Sequence, residues 1–453
     1  MAEAVRHDKT ARQLRLLSDA LDSGRLGPVR RMVHTLAPAE IGNLLESLPP
    51  DKRMVVWGLV DPADDGEVLV HVGDEVRESL IADMDQDELV AAVEDLDIDD
   101  LADLVEDLPD AVIDQLLQSM DRDNRERLEK VLSYAEDTAG RLMNPDVVTV
   151  RADTTVDVVL RFLRLRGELP DHTDHLYVVN RRHQLIGWVA LQDLVTRDPS
   201  TPINQLIDDE LESLHVDTPA DEVARRFSDN DWVSAPVVDD HNVLLGRITI
   251  DDVVDIIREQ AEHQALGAAG LDEDEDLFSP IRRAVRGRVV WLGINLLTAF
   301  LAAAVIGQFD ATIEKIVALA VLMPIVAGIG GNAAVQVLTL MVRGLALGQV
   351  GPSNASILLW KELRVALING LLIGLLVGAV ALLWFGSWAL SAVIAAALVL
   401  NFCSAALAGV LLPLLLKRMR IDPAVAGTVV VTAVTDVMGF FSFLGLATAI
   451  LLH

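Results

Sequence analysis

Cysteine is almost absent from this sequence. Cys403, the only one, lies in an apolar segment without an intrachain partner, which excludes a disulfide framework and a thiolate metal cluster. Histidine is missing from every long apolar stretch, and no Walker-type phosphate loop occurs. A membrane-bound enzyme would need a nucleophile with a base, or a bound cofactor, and neither is supplied there. The residues from Met1 to Arg15 are charged throughout and lack an apolar core. No secretory signal is therefore expected, and the N-terminal region is expected in the cytosol.

Acid is scarce at one end and base at the other. From Ile281 onward there are five acidic residues (Asp310, Glu314, Glu362, Asp422, Asp436) and eleven Lys or Arg, a net of +6. The preceding residues hold 63 acidic and 26 basic side chains, a net of -37. So acidic a region repels nucleic-acid phosphates and attracts cations, so no nucleic-acid partner is expected.

What is abundant is apolar sequence, 51% of 453 residues. Five stretches supply the roughly 20 apolar residues that a membrane helix needs: 289–309, 316–342, 365–385, 389–416 and 424–452. Basic residues mark the cytoplasmic side. Arg282, Arg283, Arg286 and Arg288 precede the first stretch, Arg343, Lys361 and Arg364 surround the second connection, and Lys417, Arg418 and Arg420 precede the fifth. The alternate connections, 308–315 and 386–388, and the terminal His453 are poor in charge. The spacing predicts a multi-pass inner-membrane protein with its N-terminus cytoplasmic and its C-terminus outside.

Two repeats organise the soluble part. Residues 39–61 align without a gap to 99–121, each an apolar helical pattern leading through Leu-Pro into a second helix, with a weaker copy at 87–97. Stacked helix pairs of this kind form a small superhelix. Beyond Asn144-Pro145, β-branched runs replace the Leu-rich helices. One unit reads strand 147–150, helix 155–165, hairpin 175–180 and 185–190, helix 191–196. A second reads 214–216, 220–227, 234–238 and 244–249, with a last helix over 250–260.

The paired endings, Gly187-Trp188-Val189-Ala190-Leu191-Gln192-Asp193-Leu194 and Gly246-Arg247-Ile248-Thr249-Ile250-Asp251-Asp252-Val253, resemble those of CBS modules. In adenosine-binding members of that family the Asp opening the last helix holds a ribose, so the resemblance implies ATP or another adenine nucleotide at Asp193 and Asp252. A plain helix-capping role for each stands beside it.

The whole order resembles the MgtE magnesium channels. Tyr134 to Met143 looks like the family's junction between helical and CBS parts. Pro324, Gly330-Gly331-Asn332 and Gln336 look like its second span, and Asp422-Pro423-Ala424 with Thr435-Asp436-Val437 and Gly439 like its fifth. Ala334, Val335 and the missing proline near Gly427 depart from it.

The expected architecture is multidomain: an all-α superhelical N-terminal domain (1–131), a junction (132–143), an α/β tandem CBS domain (144–200 and 201–260), a connecting plug-like helix with an acidic linker (261–286), and an all-α five-helix transmembrane domain (287–453). The resemblance implies a homodimer that conducts Mg2+ and is closed by cytosolic Mg2+.

Asp436 lies about a dozen residues into a span of about 29, near mid-membrane at ~1.5 Å per residue. A carboxylate there needs water, a cation or a partner, and no base lies deep in any span. Magnesium gives up its waters reluctantly, so one or two carboxylates suffice to hold it partly or fully hydrated, and a two-fold dimer supplies two. Thr432, Thr435, Asn332 and carbonyls near Gly328 to Gly331 are expected around the hydration shell, while Ser442 and Thr448 are expected to pack.

Regulatory ligands are expected among Asp95 and Asp99 of the helical domain and Asp251, Asp252, Asp255, Glu259 and Glu262 of the last CBS helix. Of these, 252, 255, 259 and 262 share a helical face. Solvated surface is the alternative for each, as it is for the Asp272–Asp276 run. A CBS-regulated transporter of cobalt, manganese or an anion is the alternative function, and a membrane enzyme a further one; an anion path would need base at mid-membrane.

Overall fold

The computed structural model describes residues 17, 19–24, 26–94, 96–208, 212–271, 276–351, 353–419 and 421–452. The readings placed on Met1 to Arg15, Asp95, 272–275, Arg420 and His453 lie outside the described residues. The chain forms two compact units, Met1–Gln260 with Asp274–Ser279, and Ala261–Glu273 with Pro280–His453.

The first unit begins with short helices whose starts are written locally. Pro38 and Pro50 open Pro38–Glu46 and Pro50–Trp57, where a missing N–H costs nothing. Asp85 caps Gln86–Val93 by accepting from the Glu88 amide at 2.9 Å, while Glu88 accepts from the Asp85 amide at 3.0 Å. The repeat reappears as Ile98–Leu104 and Asp110–Ser119. Leu45, Val56, Leu69, Leu80, Leu101, Leu104 and Leu116 lie in its buried core.

Two three-stranded sheets follow, β1(149–150)-β2(175–179)-β3(185–190) and β4(214–215)-β5(234–238)-β6(244–249). In each the first pair is parallel and the second antiparallel, with the same register shift, at Val178/Val179 and at Val237/Val238. The hairpin tips match as well. His183 and Asn242 both adopt φ 58°, and they trade backbone bonds across the pair: Leu185 N–H donates to the Asn242 carbonyl and Leu244 N–H to that of His183. The tandem is thus a pseudo-symmetric pair. Its last helix, Ile250–Ala269, runs past the expected end at 260, because no Pro or Gly stops it before Gly267.

Among the described residues, the second unit holds five helices long and apolar enough to cross a membrane: Ile281–Gly307, Ala318–Ala346, Ala355–Phe385, Trp388–Arg418 and Pro423–Leu451. A short helix, Asp310–Lys315, occupies the first connection, which reads as a plain loop in sequence. The fourth span is central, touching the second, third and fifth. It tolerates close neighbours because they are small. A Cβ on Gly374 would lie 2.8 Å from the Ala395 carbonyl, so the third and fourth spans meet backbone to backbone. The third span turns Leu372, Leu375, Leu376 and Leu383 outward, as a lipid-facing helix does.

Candidate functional site

Asp436 sits half-buried in the fifth span, one turn beyond Thr432, so the two share a face. It makes no hydrogen bond or ion pair to any described residue. The Thr432 hydroxyl donates to the Thr428 carbonyl at 2.8 Å, and its methyl lies 3.7 Å from where Gly331 would carry a Cβ. Gly331 therefore meets the fifth span one turn before Asp436. Thr435 is fully buried, its hydroxyl 3.2 Å from the Val431 carbonyl and 2.9 Å from that of Thr432, which places it in the helix seam. Ser442 and Thr448 also bond their own helix, and Thr448 meets Thr312 at 2.9 Å.

Along the second span, Pro324, Gly328, Asn332, Gln336, Thr339 and Arg343 are exposed and recur at helical spacing. An amide-bearing stripe on a membrane helix needs water or protein opposite it, since hydrocarbon satisfies no hydrogen bond. Asn332 lies on this stripe beside Gly331.

Within the spans, a further polar residue escaped sequence reading. Asn401, in the middle of the fourth span, is 0% exposed and donates from Nδ2 to the Val326 carbonyl at 2.9 Å. A Cβ on Gly330 would fall 2.0 Å from that nitrogen, and one on Gly439 would fall 2.7 Å from it. A lone amide at the centre of an apolar run was the available signal.

In the first unit, acids from the helical domain and from the last CBS helix face each other. Asp252 is pushed up to about 7, by burial first and by Asp251 next. Asp100 is pushed up to about 7 by burial, with Glu67, Asp97, Asp103 and Asp251 adding to it. Asp99 is held well above its ordinary value by burial and then by Asp252. Asn144 at the junction donates to Asp97 at 3.3 Å and to Asp99 at 3.2 Å, and His172 lies 3.4 Å from Asp251. Asp255 pairs with Arg258 at 3.5 Å, and Glu259 and Glu262 are exposed. Among the described residues no three acidic, His or Cys side chains close on one ion position. The sequence reading missed Asp100 and Asp97, which look like ordinary solvated acids until the fold half-buries Asp100 and brings Asp97 onto Asn144.

The two proposed ribose-binding acids have local partners. Asp252 accepts from the Thr249 amide and hydroxyl, each at 3.2 Å, as a helix-start residue does. Asp193 pairs with Arg197 at 3.3 Å.

At the start of the fifth span, Asp422 accepts from the Ala424 amide at 2.7 Å and meets His263 at 2.6 Å, while Gly267 packs on Val425. The helix carrying His263 thus lies against the N-terminus of the span that carries Asp436.

Five apolar spans, one of them with an unpaired carboxylate, together with a tandem CBS pair, define a multi-pass membrane protein with an attached CBS module. Family models match in the same order: the MgtE intracellular N domain over 36–137, CBS domains over 139–200 and 203–259, and the MgtE divalent cation transporter over 323–446. Magnesium transporter MgtE of Thermus thermophilus is 32% identical over 451 residues, covering 96% of this chain and 98% of that protein. Its namesake in Bacillus subtilis is 28% identical and covers 95% of each chain. The crystal structure of the cytosolic domain of the Mg2+ channel MgtE in complex with ATP is 33% identical to the matching part, with a TM-score of 0.48, over 53% of this chain and 98% of that one. The chain belongs to the MgtE family, whose members are transporters rather than enzymes.

Proposed function

We propose that this chain is one subunit of a homodimeric, magnesium-selective inner-membrane channel, closed by cytosolic Mg2+ bound between its acidic domains. The observation that carries the reading is the unpaired Asp436 carboxylate inside an apolar span. Full-length similarity to proteins named magnesium transporters supports the choice of ion.

In this reading two copies bring their fifth spans to a common axis, and two Asp436 carboxylates hold a largely hydrated Mg2+ by charge. Thr432, Asn332 and the Gly331 carbonyl bind its water shell. The buried Thr435 keeps the turn before Asp436 in shape. The basic ends of the spans lie in the cytoplasm with the N-terminus, and the C-terminus lies outside.

Closure follows from electrostatics. Carboxylates of Asp99, Asp100 and Asp252, partly desolvated and held close to the exposed Asp251, repel when bare and draw together when a divalent ion lies between them. Asp255, Glu259 and Glu262 carry the acidic face further along the last CBS helix. The helix against Asp422 and Val425 carries the change to the pore. An adenine nucleotide at Asp193 or Asp252 adds a second input.

The test is Mg2+ flux into sealed vesicles holding the purified protein, with and without Mg2+ on the sensor side. Flux should be present and should fall when sensor-side Mg2+ is added. Removing residues 1–131, or neutralising Asp251, Asp252 and Asp255 together, should leave flux but weaken that inhibition. Absence of Mg2+ flux contradicts the channel, and a truncated protein that is dead or still fully inhibited contradicts the sensor. The family model's broader description, divalent cation transporter, keeps cobalt and manganese as a second reading, tested by competition in the same vesicles.

A further inference from the structure

Asn401 makes contacts that close packing alone does not require. It is wholly enclosed, yet only its amide nitrogen is used. Nδ2 donates to the Val326 carbonyl of the second span, and Oδ1 is buried without a partner among the described residues. Leaving an amide oxygen unpaired inside a membrane helix bundle carries a cost that an apolar residue of similar size avoids.

The geometry around it is specific. Gly330 on the second span and Gly439 on the fifth both approach Nδ2 so closely that neither position admits a methyl group without displacement. One amide therefore joins three spans at a single node. Gly439 lies three residues after Asp436, on the same side of the fifth helix. Gly330 precedes Gly331, the residue that meets Thr432 one turn before Asp436. Both helices that meet at the ion site are registered against Asn401.

We propose that Asn401 is a positioning residue for the ion site: its hydrogen bond to Val326 fixes the amide against the second span, Gly439 seats the fifth span on that same amide, and together they set the rotation and height of the fifth span relative to the second, and hence where Asp436 stands. This inference rests on the reading of Asp436 as the ion site. Residues behind a metal's direct partners commonly change ion affinity by about 10- to 100-fold when removed. An effect of that kind separates positioning from plain packing, which changes how much protein folds rather than the ion concentration at half-maximal flux.

The experiment measures Mg2+ flux against Mg2+ concentration in vesicles containing full-length wild type, N401A, N401L, G439A, N401A/G439A and D436N. N401L keeps the branched shape and heavy-atom count without the hydrogen bond, in case N401A fails to assemble. The concentration at half-maximal flux should rise about tenfold or more in N401A, N401L and G439A, normalised to folded protein. The added methyl in N401A/G439A fills the space left by the amide but restores no hydrogen bond, so the shift should persist in the double variant. Unchanged half-saturation in N401L, or full recovery in N401A/G439A, overturns the proposal and leaves packing as the role. If D436N carries normal flux, or wild type carries none, the underlying site reading fails instead, so the two failures are distinguishable.

Discussion

The guanidinium of Arg53, 3% exposed, reaches the carboxylate of Asp276 at 2.6 Å, although 223 residues separate them in sequence. The same Arg53 donates from Nε to the Leu45 carbonyl at 2.9 Å. The Asp276 amide and the Ser279 hydroxyl both donate to Glu75. The segment just before the first span is thereby strapped to the helical-repeat domain. Breaking a buried pair by removing one partner typically costs about 3 to 5 kcal/mol. Arg53→Ala should release the strap, and chymotrypsin should then cut at Leu277 or Phe278 faster than in wild type. Arg53→Ala/Asp276→Ala, which leaves no uncompensated carboxylate, should be cut at an intermediate rate. Equal cleavage of wild type and Arg53→Ala would show that the strap is held by something else.

The raised acids predict how stability depends on pH. Folded carboxylates that titrate near 7, as Asp100 and Asp252 do, bind protons that an unfolded chain has released, so the folded state is favoured at low pH. Their contribution is fully present below about pH 4, is progressively lost as pH rises, and has gone once pH passes about 7. Without divalent ions, the first thermal transition of the full-length protein should therefore fall between pH 5 and pH 8. Millimolar Mg2+ should restore more of it at pH 8 than at pH 5, because protons do the same work at low pH. At a hundred times its dissociation constant, such an ion adds about 2.7 kcal/mol. An equal Mg2+ effect at both pH values would place the ion away from these carboxylates.

Topology is tested by reporters. A reporter fused after His453 should be active only outside the membrane, and one placed between Gly348 and Asn354 only inside. Both on one side would mean that one of the five spans does not cross.

Much of this fold was legible because its signals are local. Strands at 234–238 and 244–249 follow runs of β-branched and apolar residues bounded by turn residues, and both hold to the residue. The five spans show as long apolar runs, although the helices extend beyond them: the first begins at Ile281, since charged ends such as Arg282 and Arg283 remain helical outside an apolar core. Asp436 stood out as an unpaired carboxylate in apolar surroundings. What could not be read depends on distant partners. Asp252 is marked in sequence by its place at the start of the last CBS helix but Asp100 is not, and the raised titration of each depends on burial where a helical repeat and a CBS helix face each other. Asn401 and the Arg53 to Asp276 pair are hidden for the same reason, because periodicity reports which face is buried and not what lies opposite it.

The most direct measurement is Mg2+ flux through Asp436→Asn in sealed vesicles, beside wild type at equal amounts of folded protein. The substitution keeps the size of the side chain and removes its charge, so it leaves packing intact while weakening ion attraction at mid-membrane. The account predicts that Asp436→Asn inserts, assembles as wild type does and carries less than about a tenth of its flux, in line with the loss on removing a group that acts on the ion. Flux equal to wild type would contradict it.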